Sequence, residues 1–373
     1  MTVPLCILDL SPVPAGGGVA AALRNSVDLA RRAEEFGYHR YWVAEHHFAA
    51  GVASSHPALL IAQIAAATSH IRVGSGAVQT GHQTALSIAE QFGLLDALYP
   101  GRIDLGLGRS GQRRVEAIAE LGRPPVAPPE ARVVDGLLIP RPFSFAKLIG
   151  SPRFAVYASL LQQEGALPPD FPAQVDEILA LLAAEYRSED GVEAYARAGE
   201  ATDVEVWVLG SSGGESARVA GARGLPFAAN YHVSPATVLE AAEGYRAAFQ
   251  PSAGNAAPRM MVSADVVVAS DDEEARRLAT PYALWVRSIR LGEGAIPYPT
   301  PEQAAAYAWS DEDRELVADR LATQFVGSPQ TVAEQLRTLQ RVTGADEVLV
   351  TTITHDHADR VHSFELLAKE WYA

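Results

Sequence analysis

The chain has 373 residues, 48% of them apolar, and a net charge of −15. That acidity disfavours nucleic acid and anionic membrane surfaces as partners, and the single cysteine, Cys6, excludes a disulfide framework and a cysteine-based zinc or iron–sulfur site. Met1–Leu10 lacks the basic and apolar regions of a signal peptide, and no window reaches the ~18 apolar residues of a membrane span, so the expected location is cytoplasmic.

Short apolar runs alternate with helical patterns. The first run, Pro4–Leu10, precedes a helix carrying Leu23, Val27 and Ala30 on one face and stopped by Gly37. Tyr41–Ala44 is the second run. Pro57 then opens a helix with Leu60, Ile61, Ile64 and Thr68 at helical spacing. Ile71–Val78 is the third, followed by a helix with Ile88, Phe92 and Leu95 that closes at Pro100–Gly101. Arg102–Leu107 is the fourth.

Residues 123–172 are proline-rich and read as an insertion, a lid or small subdomain, since a structureless stretch of that length is unusual in a compact domain. Helical spacing resumes at Val175, Ile178, Leu179 and Leu182. Glu205–Leu209 and Pro226–Ala229 are the fifth and sixth runs, with a helix starting near Ser216 between them. Ser234–Pro235 caps a helix with Val238, Ala242 and Tyr245, and Val262–Ala269 is the seventh run. A second irregular stretch, 280–323, contains Pro297, Pro299 and Pro301. Ser328–Pro329 opens a helix with Val332, Leu336 and Leu339, and Asp346–Thr352 is the eighth run. Eight strands alternating with helices predict an α/β protein, a (β/α)₈ TIM barrel over 1–373 with insertions after strands four and seven; an open doubly wound sheet is the alternative.

In such a barrel, chemistry belongs at the C-terminal ends of the strands. Glu45, His46 and His47 follow the second strand and suit acid/base or hydrogen-bond donor work; bonding to loop backbone would place histidines there equally well. Ser75 and Gly76 end the third and would let a flat ligand approach the backbone. Gly106–Gly111 spells G-x-G-x-x-G, but after a fourth strand and before Arg113 and Arg114 it lacks the setting of a dinucleotide fold. Arg109 at that strand's end could meet a phosphate or a carboxylate. Ser211, Ser212, Gly213 and Ser216 open a helix as a candidate anion site, or simply cap it. Asn230, Tyr231 and His232 follow the sixth strand. His355, Asp356 and His357 follow the eighth and invite a metal reading, but no third ligand cluster accompanies them and a polar loop is favoured.

These residues, in this order, resemble the bacterial luciferase-like monooxygenase family, and in particular its small single-component subgroup beginning Leu-Asp-Leu-Ser-Pro, here Leu8–Pro12. The resemblance is carried by Tyr41–Phe48, Ile71–Ala77, Ala89–Gln91, Pro100–Arg109, Leu209–Ser216, Gly224–Asn230 and Gly327–Pro329. It implies a barrel that binds reduced FMN or, in one branch, F420. It also implies Ser75–Gly76 against the flavin ring, often as a non-prolyl cis junction, with Arg109, Ser212, Gly213 and Ser216 around the phosphate and His46 as the catalytic histidine. Glu45, His47, His82, Tyr231 and His232 would then surround the substrate. The implied reaction is oxygenation of a small organic substrate by O₂ activated on reduced FMN, which a separate NAD(P)H:flavin reductase would supply. F420-dependent hydride transfer and non-catalytic flavin binding are the alternatives. The resemblance further implies a homodimer, for which the helix faces Leu60–Ile64 and Ile88–Leu95 are candidates. The chain departs from close relatives at Gln79–Thr84, where His82 is the one histidine and proline is absent.

Overall fold

The computed structural model describes residues 2–109, 127–144, 148, 152–166, 170–199 and 202–373. Eight parallel strands close into a barrel: β1 (Leu5–Asp9), β2 (Arg40–Val43), β3 (Arg72–Ser75), β5 (Ile103–Gly108), β8 (Glu205–Gly210), β9 (Phe227–Asn230), β10 (Met260–Val268) and β12 (Glu347–Thr351). Each pairs with the next, and β12 pairs with β1 to complete the ring. All eight expected strands are present, and the open-sheet alternative is excluded by this closure. Two short strands extend the wall: β4 (Val78–Gln79) beside β5, and β11 (Phe325–Gly327) beside β10. A hairpin of β6 (Arg132–Val134) and β7 (Leu137–Ile139) lies within the first insertion. The cis peptide bond falls between Gly76 and Ala77, one bond later than the resemblance implies.

Flanking helices α1 (Val19–Glu35), α2 (Pro57–Ala67), α3 (Ala85–Leu98), α5 (Phe171–Leu182), α6 (Glu215–Ala222), α7 (Val238–Ala248), α12 (Pro329–Thr343) and α13 (His357–Trp371) join the strands. Within the first insertion, α4 (Pro152–Leu161) is described, while 123–126, 145–147, 149–151 and 167–169 lie outside the described residues. The second insertion is not irregular. It forms α8 (Asp272–Ala279) at its approach, then α9 (Tyr282–Arg290), α10 (Pro301–Ala305) and α11 (Asp311–Thr323). Its prolines mark helix starts and loops: Pro301 stands in the first turn of α10, behind a capping box made by Thr300 and Gln303.

The strands are buried on both faces, and side chains alternate between two cores. Leu5, Ile7, Tyr41, Val43, Val262, Val348 and Val350 face the helices. Cys6, Leu8, Trp42, Trp207, Met261 and Leu349 fill the barrel interior. At the N-terminal end of the barrel this inward register places charge instead of hydrocarbon. Arg40, 1% exposed, donates to Glu347 (Nε–Oε2 2.8 Å), Asp104 (Nη1–Oδ2 2.7 Å) and Glu205 (Nη1–Oε2 3.0 Å). Arg72 and Arg259 complete the network, so three guanidinium groups face three carboxylates. The indole N–H of Trp42 donates to Asp104, and Arg40 and Arg259 both lie over the Trp207 ring. Arg40 holds Glu347 down at about 2, and Arg259 adds to the effect against the opposing cost of burial.

Removing one member leaves the others buried and uncompensated, which costs about 3–5 kcal/mol. Arg40→Met should therefore lower the unfolding free energy by about that amount. Urea titration at neutral pH measures it, and a loss below about 1 kcal/mol would show the network to be dispensable.

Candidate active site

At the opposite end of the barrel, the same inward register opens into a cavity of about 390 Å³. Leu10, Ala44, Leu209, Asn230, Ser263, Asp265 and Thr351 line it from the strand ends, and α9 contributes Trp285, Val286 and Ile289. Its walls are mainly apolar.

His46 and His47 enter from the loop after β2. This loop is held by backbone bonds: His46 N to Ser54 O at 2.9 Å, Gly51 N to Ala295 O at 2.7 Å, and Val13 N to Gly51 O at 2.9 Å. Tyr298 closes the bracket by bonding Val13 and Ala15 through its backbone. A side chain at position 51 would collide with Ile296 O, its Cβ only 1.9 Å away, so glycine lets the second insertion seat against the histidine loop. Phe48 of the same loop stacks on Tyr157 of α4, ring centroids 4.2 Å apart. Enclosure by protein holds the His46 pKa below the ordinary histidine value; Glu45 opposes this and His47 reinforces it.

His232 faces His46 from the far wall, with Nδ1 2.6 Å from Ser263 Oγ. Burial pushes its pKa down to about 4 against the pull of Asp265, so it is neutral at physiological pH. Behind it, Arg320 of α11 pairs with Asp265 at 3.0 Å, and Tyr282 donates to the same carboxylate. The sequence reading did not single out Asp265 or Arg320. A carboxylate within the apolar run of β10 was the available signal for the first.

A second, polar pocket of about 170 Å³ is lined by Gly108, Arg109, Ser211, Ser212 and Ser216, and shares Leu209 and Asn230 with the large cavity. Arg109 Nε donates to Ser216 Oγ at 3.2 Å and Nη1 to Glu215 at 2.7 Å. One guanidinium, three seryl hydroxyls and the N-terminus of α6 form a donor set that fits a phosphoester. An entering phosphate would compete with Glu215 for Arg109.

The expected residues therefore divide. His46, His47, Gly76 and His232 line the large cavity, and Arg109, Ser211, Ser212 and Ser216 line the polar pocket. Ser75 is fully buried and exchanges hydrogen bonds with Gly106 across the barrel wall. Gly213 packs against Gly244 and donates its N–H to Glu240. Tyr231 points away and donates to Leu138 O at 2.8 Å. Glu45 does not line the cavity but accepts from Gln79 N and pairs with His47, which does, at 2.9 Å. His82 lines a third cavity. His355 and His357 bond separately to Ala15 O and Asp28, and no metal-binding cluster occurs among the described residues. Within the G-x-G-x-x-G string, Gly106 has Ser75 O only 2.1 Å from where a Cβ would stand, a demand of barrel packing; Ser110 and Gly111 lie outside the described residues.

Together these features define a TIM-like α/β barrel with an apolar cavity beside a smaller polar pocket at the C-terminal ends of its strands. The model of the luciferase-like monooxygenase family matches residues 3–135 and 177–347, and the chain belongs to that family. It is 40% identical over 371 residues to YvbT of Bacillus subtilis (strain 168), covering 98% of this chain and 96% of that protein. It is 35% identical over 365 residues to a luciferase-like monooxygenase of Escherichia coli (strain K12), covering 98% and 96%. The crystal structure of apo-MsnO8 superposes with a TM-score of 0.78 at 32% identity, over 99% of this chain and 98% of that one.

The depressed His232 pKa has a measurable consequence. Above the unfolded value near 6.5 both states are neutral; as pH falls toward 4 the unfolded chain takes up a proton that the folded one refuses. Between pH 7 and pH 5 this group should cost about 2 kcal/mol of stability. Denaturant titrations of the wild type and His232→Asn at both pH values test it: the variant should lack that increment, and an equal loss in both would refute the assignment.

Proposed function

We propose that the protein is a flavin-dependent monooxygenase that uses reduced FMN and O₂ to oxygenate a small, mainly apolar organic molecule. The observation that carries this reading is the shared wall of the two pockets: Leu209 and Asn230 border both, so one molecule with a flat body and a phosphate tail can occupy them together. Arg109, Ser211, Ser212 and Ser216 would hold the phosphate, and Gly76 and Leu209 would flank the ring. When bound, reduced FMN supplies the electrons that activate O₂ for transfer of one oxygen atom.

The chain supplies the surroundings. Its leucine, valine and tryptophan walls exclude water from the reacting groups. His46, kept neutral by its enclosure, presents an imidazole that can donate a hydrogen bond or shuttle a proton at the cavity wall. His232 offers a second neutral imidazole opposite, its Nδ1 tied to Ser263. A separate NAD(P)H:flavin reductase would deliver the reduced cofactor.

For the assembly we propose a homodimer. Leu60, Ile61, Ile64, Ile88, Phe92 and Leu95 pack inward, so the outward apolar surface of the flank is Leu59, Leu86, Leu94 and Leu98, of which Leu59, Leu94 and Leu98 are 72%, 57% and 68% exposed. Replacing Leu94 and Leu98 together by glutamate should convert a dimer to a monomer in light scattering, while a wild type that is already monomeric would end this proposal.

Anaerobic fluorescence titration with reduced FMN tests the functional reading. Arg109→Ala should weaken binding about 10- to 150-fold, because a charge-assisted phosphate contact is worth about 1.5–3 kcal/mol. His46→Ala should bind nearly as well but release more hydrogen peroxide per O₂ consumed on mixing with oxygen. Tight binding of F420 without affinity for reduced FMN would reassign the chain to hydride transfer.

A further inference from the structure

Hydrocarbon lines most of the large cavity, and the guanidinium groups in its wall come paired with carboxylates. Asp265 stands on the inward register of β10, and Arg320 reaches it from α11. Both line the cavity, with side chains that are each 8% exposed. Tyr282 Oη and Arg320 Nη2 donate to the same carboxylate oxygen, Asp265 Oδ2. Nη2 also donates to Tyr282 Oη.

This sharing leaves Asp265 Oδ1 and Arg320 Nη1 without a hydrogen-bond partner among the described residues. Neither is among the unpartnered polar atoms that the protein seals from water, although Arg320 Nε is. Oδ1 and Nη1 therefore keep accessible surface, and the cavity is the space that their residues line. One is a charged acceptor and the other a charged donor, side by side on a single ion pair. The second guanidinium on the lining, Arg290, is committed to Asp319 through both Nη atoms. The neighbouring imidazole of His232 is neutral at physiological pH, so it leaves the balance of the pair unaltered.

We propose that Asp265 Oδ1 and Arg320 Nη1 are the polar anchor of this cavity and select a substrate that carries a neutral carboxamide. The amide N–H donates to Asp265, and the amide carbonyl accepts from Arg320. The pair is neutral as a whole, so a charged head group loses its hydration on entering the apolar space and gains no net opposite charge in return. A carboxylate would satisfy Arg320 but face the Asp265 carboxylate, and an ammonium would satisfy Asp265 but face the guanidinium. A dipole with a donor beside an acceptor meets both groups without such a conflict. The apolar remainder of the molecule would lie along Trp285, Val286 and Ile289. Calling this ligand the substrate rests on the monooxygenase reading; the subsite itself does not.

Calorimetric titration of the flavin-free protein with benzamide, benzoate, benzylammonium and toluene, probes of similar shape, tests it. Benzamide should bind at least about tenfold more tightly than each of the others, the value of one hydrogen bond to a charged group. It should also move the ¹⁵N-histidine NMR signal of His232, whose pKa the Asp265 carboxylate raises. The triple variant Asp265→Leu/Arg320→Met/Tyr282→Phe removes the cluster as a unit and leaves no uncompensated charge. It should bind toluene as the wild type does and lose the preference for benzamide. Equal or tighter binding of any other probe by the wild type, an unmoved His232 signal, or a preference for benzamide that survives in the triple variant would each overturn the proposal. The first two are read on the wild type alone, whatever the stability of the variant. Benzamide should also bind alongside reduced FMN; mutual exclusion would assign the pair to the flavin ring and overturn the proposal. A wild type that selects benzamide but does not bind reduced FMN would refute the flavin reading while upholding the subsite.

Discussion

Arg40 sits inside the N-terminal end of the barrel with almost no access to water, and six charged groups must balance there or the barrel cannot close around them. Burying that much charge is expensive unless each guanidinium and carboxylate finds several partners at short range. The closed strand ring provides them, because Arg40, Asp104, Glu205 and Glu347 come from four different strands in the same inward register. The network thus ties non-adjacent strands across the barrel, and Trp42 and Trp207 roof it over. With this end plugged, the open space of the barrel lies at the other end, where the cavity forms.

The two ends use one alternation for opposite purposes. Following the inward positions up β10, Met261 is core, Ser263 steadies His232, and Asp265 anchors Arg320. Along β12 the same climb runs from Glu347 in the plug through Leu349 to Thr351 at the cavity. The cavity wall therefore rests on strand ends, and the loop after β2 brings in His46 and His47.

This alternation also explains what was legible in the sequence. The eight strands could be read because doubly buried parallel strands are short apolar runs set between turn signals. Residues just past each strand gave His46, Arg109 and the serines of 211–216, since the strand end sets the place. Direction was harder. Asn230, Tyr231 and His232 are consecutive, yet Asn230 and His232 face the cavity while Tyr231 turns out to hold the 132–139 hairpin. Ser75 likewise falls on the outward register. Arg320 could not be found by such a rule, because it arrives from a helix more than fifty residues beyond Asp265. The 280–323 stretch reads as irregular from its sequence because Pro297, Pro299 and Pro301 interrupt any helical spacing; Thr300–Pro301 shows that the same residue can begin a helix.

The bracket joining Gly51, Val13, Ala295 and Tyr298 makes the histidine loop and the second insertion one mechanical piece. The insertion carries Trp285 and Ile289, which shape the space beside the reacting centre. A change there that enlarges or narrows that space presses on the same backbone that seats His46. Divergence toward new guests is thereby tethered: a mutation that admits a bulkier molecule also shifts the imidazole of His46, so under the proposed function breadth of acceptance and economy of oxygen use would have to evolve together.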